Sequence, residues 1–163
     1  MKKLLMLLAV AAVISIAAVP VEKTDNVQEN VMELPDAAND IVGTWKTIDD
    51  ETGKAKSHVK IYLAKNGKYY GKIVKLLNRE KGDEDPICDV CPGSDKGQKI
   101  NGMKIVKGLV DEGNGTFSDG TIMDPKTGKV YTCKIWAEDS ETLKVRGYIG
   151  PFYRTQTWHR VSE

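Results

Sequence analysis

The chain has 163 residues, with 24 Lys and Arg set against 23 Asp and Glu, for a formal net charge of +1. That length suits one domain. So even a balance leaves no electrostatic footprint for nucleic acid or for an anionic membrane surface.

Residues 1–17 read MKKLLMLLAVAAVISIA. Lys2 and Lys3 make a positive start, an apolar run follows from Leu4 to Ile16, and small residues end it. This predicts a secretory signal cleaved after about Ala17 or Ala18. A spanning helix needs about 20 apolar residues, so a stable membrane span is not expected. Without the signal, 22 basic groups face 23 acidic ones. Residues 18–40 are acidic, amide-rich and poor in aromatics, the composition of a polar linker that buries little surface. A single β-barrel domain is expected over 41–163.

From Ile41 onward, turn signals recur at short intervals. DDETGK (49–54) separates IVGTWKTI from SHVKIYLA, and Asn66-Gly67 then leads into KYYGKIVKLL. Asn-Gly is a strong hairpin signal because both residues tolerate positive φ. After MKIVKGLV comes GNG (113–115), and DPKTGK (124–129) divides TFSDGTIM from VYTCKIWA. EDSET (138–142) precedes LKVRGYI, and Gly150-Pro151 makes the corner before FYRTQTWHRV. About eight strands follow, at the spacing of an all-β sandwich or barrel. Tyr131, Cys133, Ile135 and Ala137 share one strand face, as do Leu143, Val145, Gly147 and Ile149. Short hairpins favour an up-and-down order, and closure removes the exposed edges. One connection breaks the rhythm: residues 78–102 are too long and polar for a turn, which marks a functional or mobile loop.

Gly43-Thr44-Trp45 opens the first strand. Arg160, with Arg154 as the second candidate, is placed to lie over the Trp45 ring, because the first and last strands of a closed barrel are neighbours. A structural role, sealing the barrel, is favoured here over contact with a ligand.

GTW at 43–45, KGL at 107–109, GTIMDPKTGKVY at 120–131 and LKVRGYIGPFYRTQTWHR at 143–160 resemble the bacterial uncharacterised-domain family DUF2147. The resemblance implies a fold similar to lipocalin and streptavidin-type barrels and brings no established activity. The CDVC stretch looks like a variant feature within that family.

Two further pairs suggest recognition chemistry. Arg146-x-Tyr148 and Arg154-x-Gln156 each put both members on one strand face. The Gly150-Pro151 corner is expected to bring the two pairs together. Forked hydrogen bonds from the arginines would then hold a carboxylate or phosphate. Trp136 and Tyr131 would supply apolar walls. Fatty-acid-binding barrels use a similar Arg-x-Tyr device in their cavity, an analogy of fold alone. The plainer reading has these arginines bonded to loop carbonyls or to carboxylates such as Asp119 and Asp124, locking the barrel end.

Cys88-x-x-Cys91 reads first as a disulfide staple, given export. A redox pair would need a helix behind the first cysteine, where Pro92 and Gly93 stand instead. Zinc would need four ligands, and only Cys133, His58, His159 and scattered aspartates are left to complete a set. Neither histidine has a recognisable catalytic partner, and no nucleophile, metalloprotease or phosphate-loop motif is present.

The expectation is therefore a periplasmic or secreted, non-enzymatic, lipocalin-like barrel with no cofactor and no metal. It would bind a small, partly apolar or anionic molecule in its mouth. The alternative is an envelope structural or protein-interaction module with a filled barrel, meeting a protein partner through the 78–102 loop.

Overall fold

A computed structural model describes residues 41–83 and 85–162. The expected signal and linker fall outside them. Eight antiparallel strands form one closed barrel in sequence order. They are β1 (Gly43–Ile48), β2 (Ala55–Leu63), β3 (Tyr69–Leu76), β4 (Lys104–Asp111), β5 (Thr116–Asp124), β6 (Lys129–Ala137), β7 (Thr142–Ile149) and β8 (Phe152–Arg160). The sole helical element among the described residues is a 3-10 turn at Gly93–Asp95. No helix among them is long and apolar enough to cross a membrane.

The turns form where their chemistry predicts. DDETGK and DPKTGK are two copies of one device. Asp49 Oδ1 accepts from the backbone N–H of Thr52 at 2.9 Å, and Asp124 Oδ1 accepts from that of Lys126 at 3.1 Å. Gly53 (φ 68°) and Gly128 (φ 69°) then take the left-handed conformation that lets each hairpin reverse.

Alternation places the core. Cys133 and Ile135 of β6, with Leu143 and Val145 of β7, face inward and are buried. Two bulges modify the rhythm in β4 and β5. Asp119 adopts φ 60°, so Ser118 and Asp119 stand against Lys134 alone, and Phe117 and Gly120 both point inward. Gly108 (φ 76°) does the same for Val106 and Leu109. A Cβ on Gly120 would lie 2.7 Å from the Lys107 carbonyl oxygen, so β4 and β5 approach closely only because that residue is glycine.

The interior is packed with side chains. Trp45, Val59, Ile61, Val106, Leu109, Phe117, Ile135 and Leu143 have no exposed surface. Tyr69 meets Phe117 edge to face at 4.9 Å between ring centres. Each such buried side chain stabilises the fold by about 1.5–3 kcal/mol. The chain ends of the barrel lie at one mouth. The hairpins at 49–54, 124–129 and 150–151 and the long 78–102 connection lie at the other, here called the open end.

Candidate functional site

At the closed end the structure places Gly43, Trp45 and Arg160 beside one another. Trp45 stands opposite Arg160 in the β1–β8 pairing. The Arg160 guanidinium lies 4.2 Å from the Trp45 ring centre. Its Nη1 donates to Val42 O at 3.2 Å, and its Nε donates to Ser140 O. Trp45 Nε1 donates to Ile41 O at 2.8 Å, so the buried indole leaves no unsatisfied donor. A Cβ at Gly43 would fall 2.6 Å from Arg160 Nη1, and φ there is +145°. Glycine is what lets the guanidinium lie flat over the ring.

The six residues expected to form one ligand site fall on two faces of the sheet. In the β7–β8 ladder Arg146 pairs with Thr155, and Gly147 pairs with Arg154. The two-residue corner joins Ile149 to Phe152, and the count back from it puts Arg154 out of phase with Arg146. Arg154 and Gln156 therefore point with Gly147 and Val145 toward the lumen, while Arg146 and Tyr148 point outward. The expected four-residue cluster does not form.

On the lumen side Tyr131 lies beside Gly147, where a Cβ would sit 3.2 Å from its own Cβ. Arg154 Nε pairs with Asp50 Oδ2 at 3.2 Å, and Gln156 Nε2 donates to the same carboxylate. Trp158 Nε1, just below, donates to Gln156 Oε1 at 3.3 Å. Two more ion pairs join hairpins on opposite sides of the strand order: Lys56–Asp124 at 3.2 Å and Lys126–Glu51 at 2.5 Å. At this end Asp50, Glu51 and Asp124 are matched by Arg154, Lys126 and Lys56. The mouth is strapped by charges that satisfy one another above a packed core.

On the outer side the arrangement is different. The Arg146 guanidinium lies 5.0 Å from the Trp136 ring centre and 4.4 Å from that of Tyr153. Its Nε donates to Thr155 Oγ1 at 2.7 Å. Tyr148 leans on Tyr153 at 5.8 Å between ring centres. The neighbouring cations are paired, Lys144 with Glu138 at 3.1 Å and Lys134 with Glu112 at 3.9 Å. Among the described residues no carboxylate pairs with Arg146, Asp119 and Asp124 included. Stacking fixes the plane of the guanidinium, the Thr155 bond holds its Nε, and no hydrogen bond from its Nη atoms is seen among the described residues. Tyr153 was not singled out in the sequence. Its signal was its count from the corner, which pairs it with Tyr148 on the Arg146 face.

Cys88 and Cys91 are joined by a disulfide, with Cα atoms 5.5 Å apart. Cys133 is buried in the core, and burial pushes its thiol up to about 12. His58 lies between Lys46 and Lys75 in the ladders flanking β2. Burial and those two cations hold its pKa below the ordinary histidine value.

The chain belongs to the family described as an uncharacterized protein conserved in bacteria (DUF2147), whose profile matches residues 43–160. Among solved structures it is similar to protein HP1028 from the human pathogen Helicobacter pylori, which is described as belonging to the lipocalin family. The identity is 20%, the TM-score is 0.65, and the match covers 76% of this chain and 84% of that one. At that identity the likeness is one of fold. No curated protein matches the chain.

Proposed function

We propose that this is an exported, non-catalytic binding protein whose ligand is small, partly apolar and anionic. We further propose that the acid group of that ligand is held by Arg146 on the outer face of the barrel. A lipocalin-like fold is compatible with small-molecule binding. One observation carries the choice of site: Arg146 is a guanidinium stacked on two aromatic rings with no carboxylate partner among the described residues. The lumen-facing Arg154 and Gln156 are already committed to Asp50, so an anion there would have to displace an internal partner. Trp136, Tyr148 and Tyr153 offer flat apolar surface beside the cation, and Tyr153 is 62% exposed.

Native mass spectrometry of the protein purified from the envelope fraction of its own host tests this reading. A retained small acid in the native chain, absent from Arg146→Gln, is the expected result. Recovery from the cytoplasm with residues 1–17 still attached, or repeated preparations with nothing bound, would count against it.

A second reading is an envelope interaction module that uses the 78–102 loop as its contact surface. The filled barrel favours it, as do Ile87 and Val90, which are 52% and 57% exposed on that loop. Deletion of the loop's exposed side chains would then abolish capture of a protein partner while leaving acid binding intact.

A further inference from the structure

The long loop does not hang from the barrel. It folds back over the outer face of β4–β6 and makes a small core of its own. Cys88, Cys91, Met103, Ile105 and Met123 are each at most 6% exposed there, although Ile105 and Met123 face away from the lumen. The Cys91 sulfur lies 3.9 Å from Met103 Sδ, and the Cys88 sulfur lies 3.3 Å from Pro125 O. An Ile87–Lys99 bridge closes the base of the loop. Val90 O comes so near the β5–β6 turn that a Cβ on Gly128 would sit 1.9 Å from it. Disulfide, bridge and close backbone contact together hold the loop at a set height above the sheet.

Beside this seat the roof touches the sheet through the Lys107–Asp95 pair and otherwise stands off it. Between them lies a half-open groove of about 340 Å³, with Pro92–Asp95 above and Ile105, Met123 and Val130 below. That volume lies in the range of small-molecule pockets. The charges around it cancel: Lys107 rises from the floor and pairs with Asp95 of the roof. Among the described residues no other ionisable side chain lines the groove, and the remaining polar side chains are the hydroxyls of Ser94 and Thr121. A charged ligand would lose its hydration without gaining an uncommitted partner. An uncharged one with an apolar body and a single polar group would cover the exposed Val130, reach the edge of Met123 and bond to a hydroxyl.

We infer that this groove is a binding site for a small uncharged molecule, largely apolar, with one hydrogen-bonding group. It is separate from the Arg146 site, with which it shares only strand β6, and it selects an uncharged ligand where Arg146 selects an anion.

Indole is a suitable probe, being uncharged, compact and apolar with one N–H. Titration into methyl-labelled protein, followed by NMR, is expected to move the Met123 methyl signal saturably. Val130→Trp fills the groove from its exposed lip and should weaken that response at least tenfold. Ser94→Trp fills it from the roof without touching the sheet and should do the same, so that one folded variant suffices. Indole-3-acetate should bind at least tenfold more weakly than indole, and Arg146→Gln should leave the indole response unchanged. A Met123 signal that does not saturate, or that responds equally in the folded filled variant, overturns the site. Equal or tighter binding of indole-3-acetate overturns the assigned ligand class.

Discussion

Arg154 stands opposite Gly147 across the β7–β8 ladder, while Arg146 stands opposite Thr155. One residue of phase separates a guanidinium that braces the barrel mouth from one that faces solvent between two rings. The first has Asp50 as partner. Among the described residues the second has Thr155 and the faces of Trp136 and Tyr153 as its partners. The same side-chain chemistry serves stability on one face and is available for recognition on the other.

Closure of the barrel depends on Arg160. Arg160→Ala removes a cation–π contact and hydrogen bonds to two backbone carbonyls, with an expected loss of about 2 kcal/mol in urea unfolding. Arg160→Lys should recover part of this, since an ammonium keeps the charge but loses the fork. Unchanged stability in Arg160→Ala would mean that strand pairing alone closes the cylinder.

Stability should fall in mild acid through His58. Its folded-state pKa is depressed by burial and by Lys75 and Lys46, so the unfolded chain binds the proton more readily. The contribution is present in full above the unfolded value of about 6.5 and is lost as pH drops from there through the folded pKa. Melting temperature against pH should show this decline, and His58→Gln should flatten it. An equal slope in both proteins would assign the acid sensitivity to other groups.

Cys133 should be silent toward alkylation. Its thiol is buried and its pKa is pushed up to about 12, so thiolate at pH 8 is scarce. Iodoacetamide should modify the native protein at least about a hundredfold more slowly than the unfolded one, read by mass spectrometry. Comparable rates would show that β6 opens far more readily than a packed core allows.

Much of the architecture was legible from turn chemistry. Asn66-Gly67, the two Asp-led TGK turns and Gly150-Pro151 each reverse the chain where expected. Closure made the first and last strands neighbours and so brought Trp45 near the arginines of β8, but the register that selects Arg160 over Arg154 is seen only in the β1–β8 pairing. The ligand cluster was not legible in the same way. Residues spaced by two share a face within a strand, but phase across a hairpin depends on the number of turn residues. The bulges at Gly108 and Asp119 were also hidden, since alternation at KGL and TFSDG is ambiguous until a partner strand fixes it. The folded state of the 78–102 loop depends on contacts with Pro125 and Gly128, distant in sequence and invisible to local reading.

The outward placement of the binding chemistry is tested most directly by comparing Arg146→Gln with Arg154→Gln for one aromatic acid, phenylacetate, titrated calorimetrically. Loss of a charge-assisted fork is worth about 1.5–3 kcal/mol, so Arg146→Gln should weaken binding at least about tenfold. Arg154→Gln should leave affinity within about twofold while lowering the melting temperature. Binding that survives in Arg146→Gln and disappears in Arg154→Gln would put the ligand in the lumen and contradict the outward-facing site.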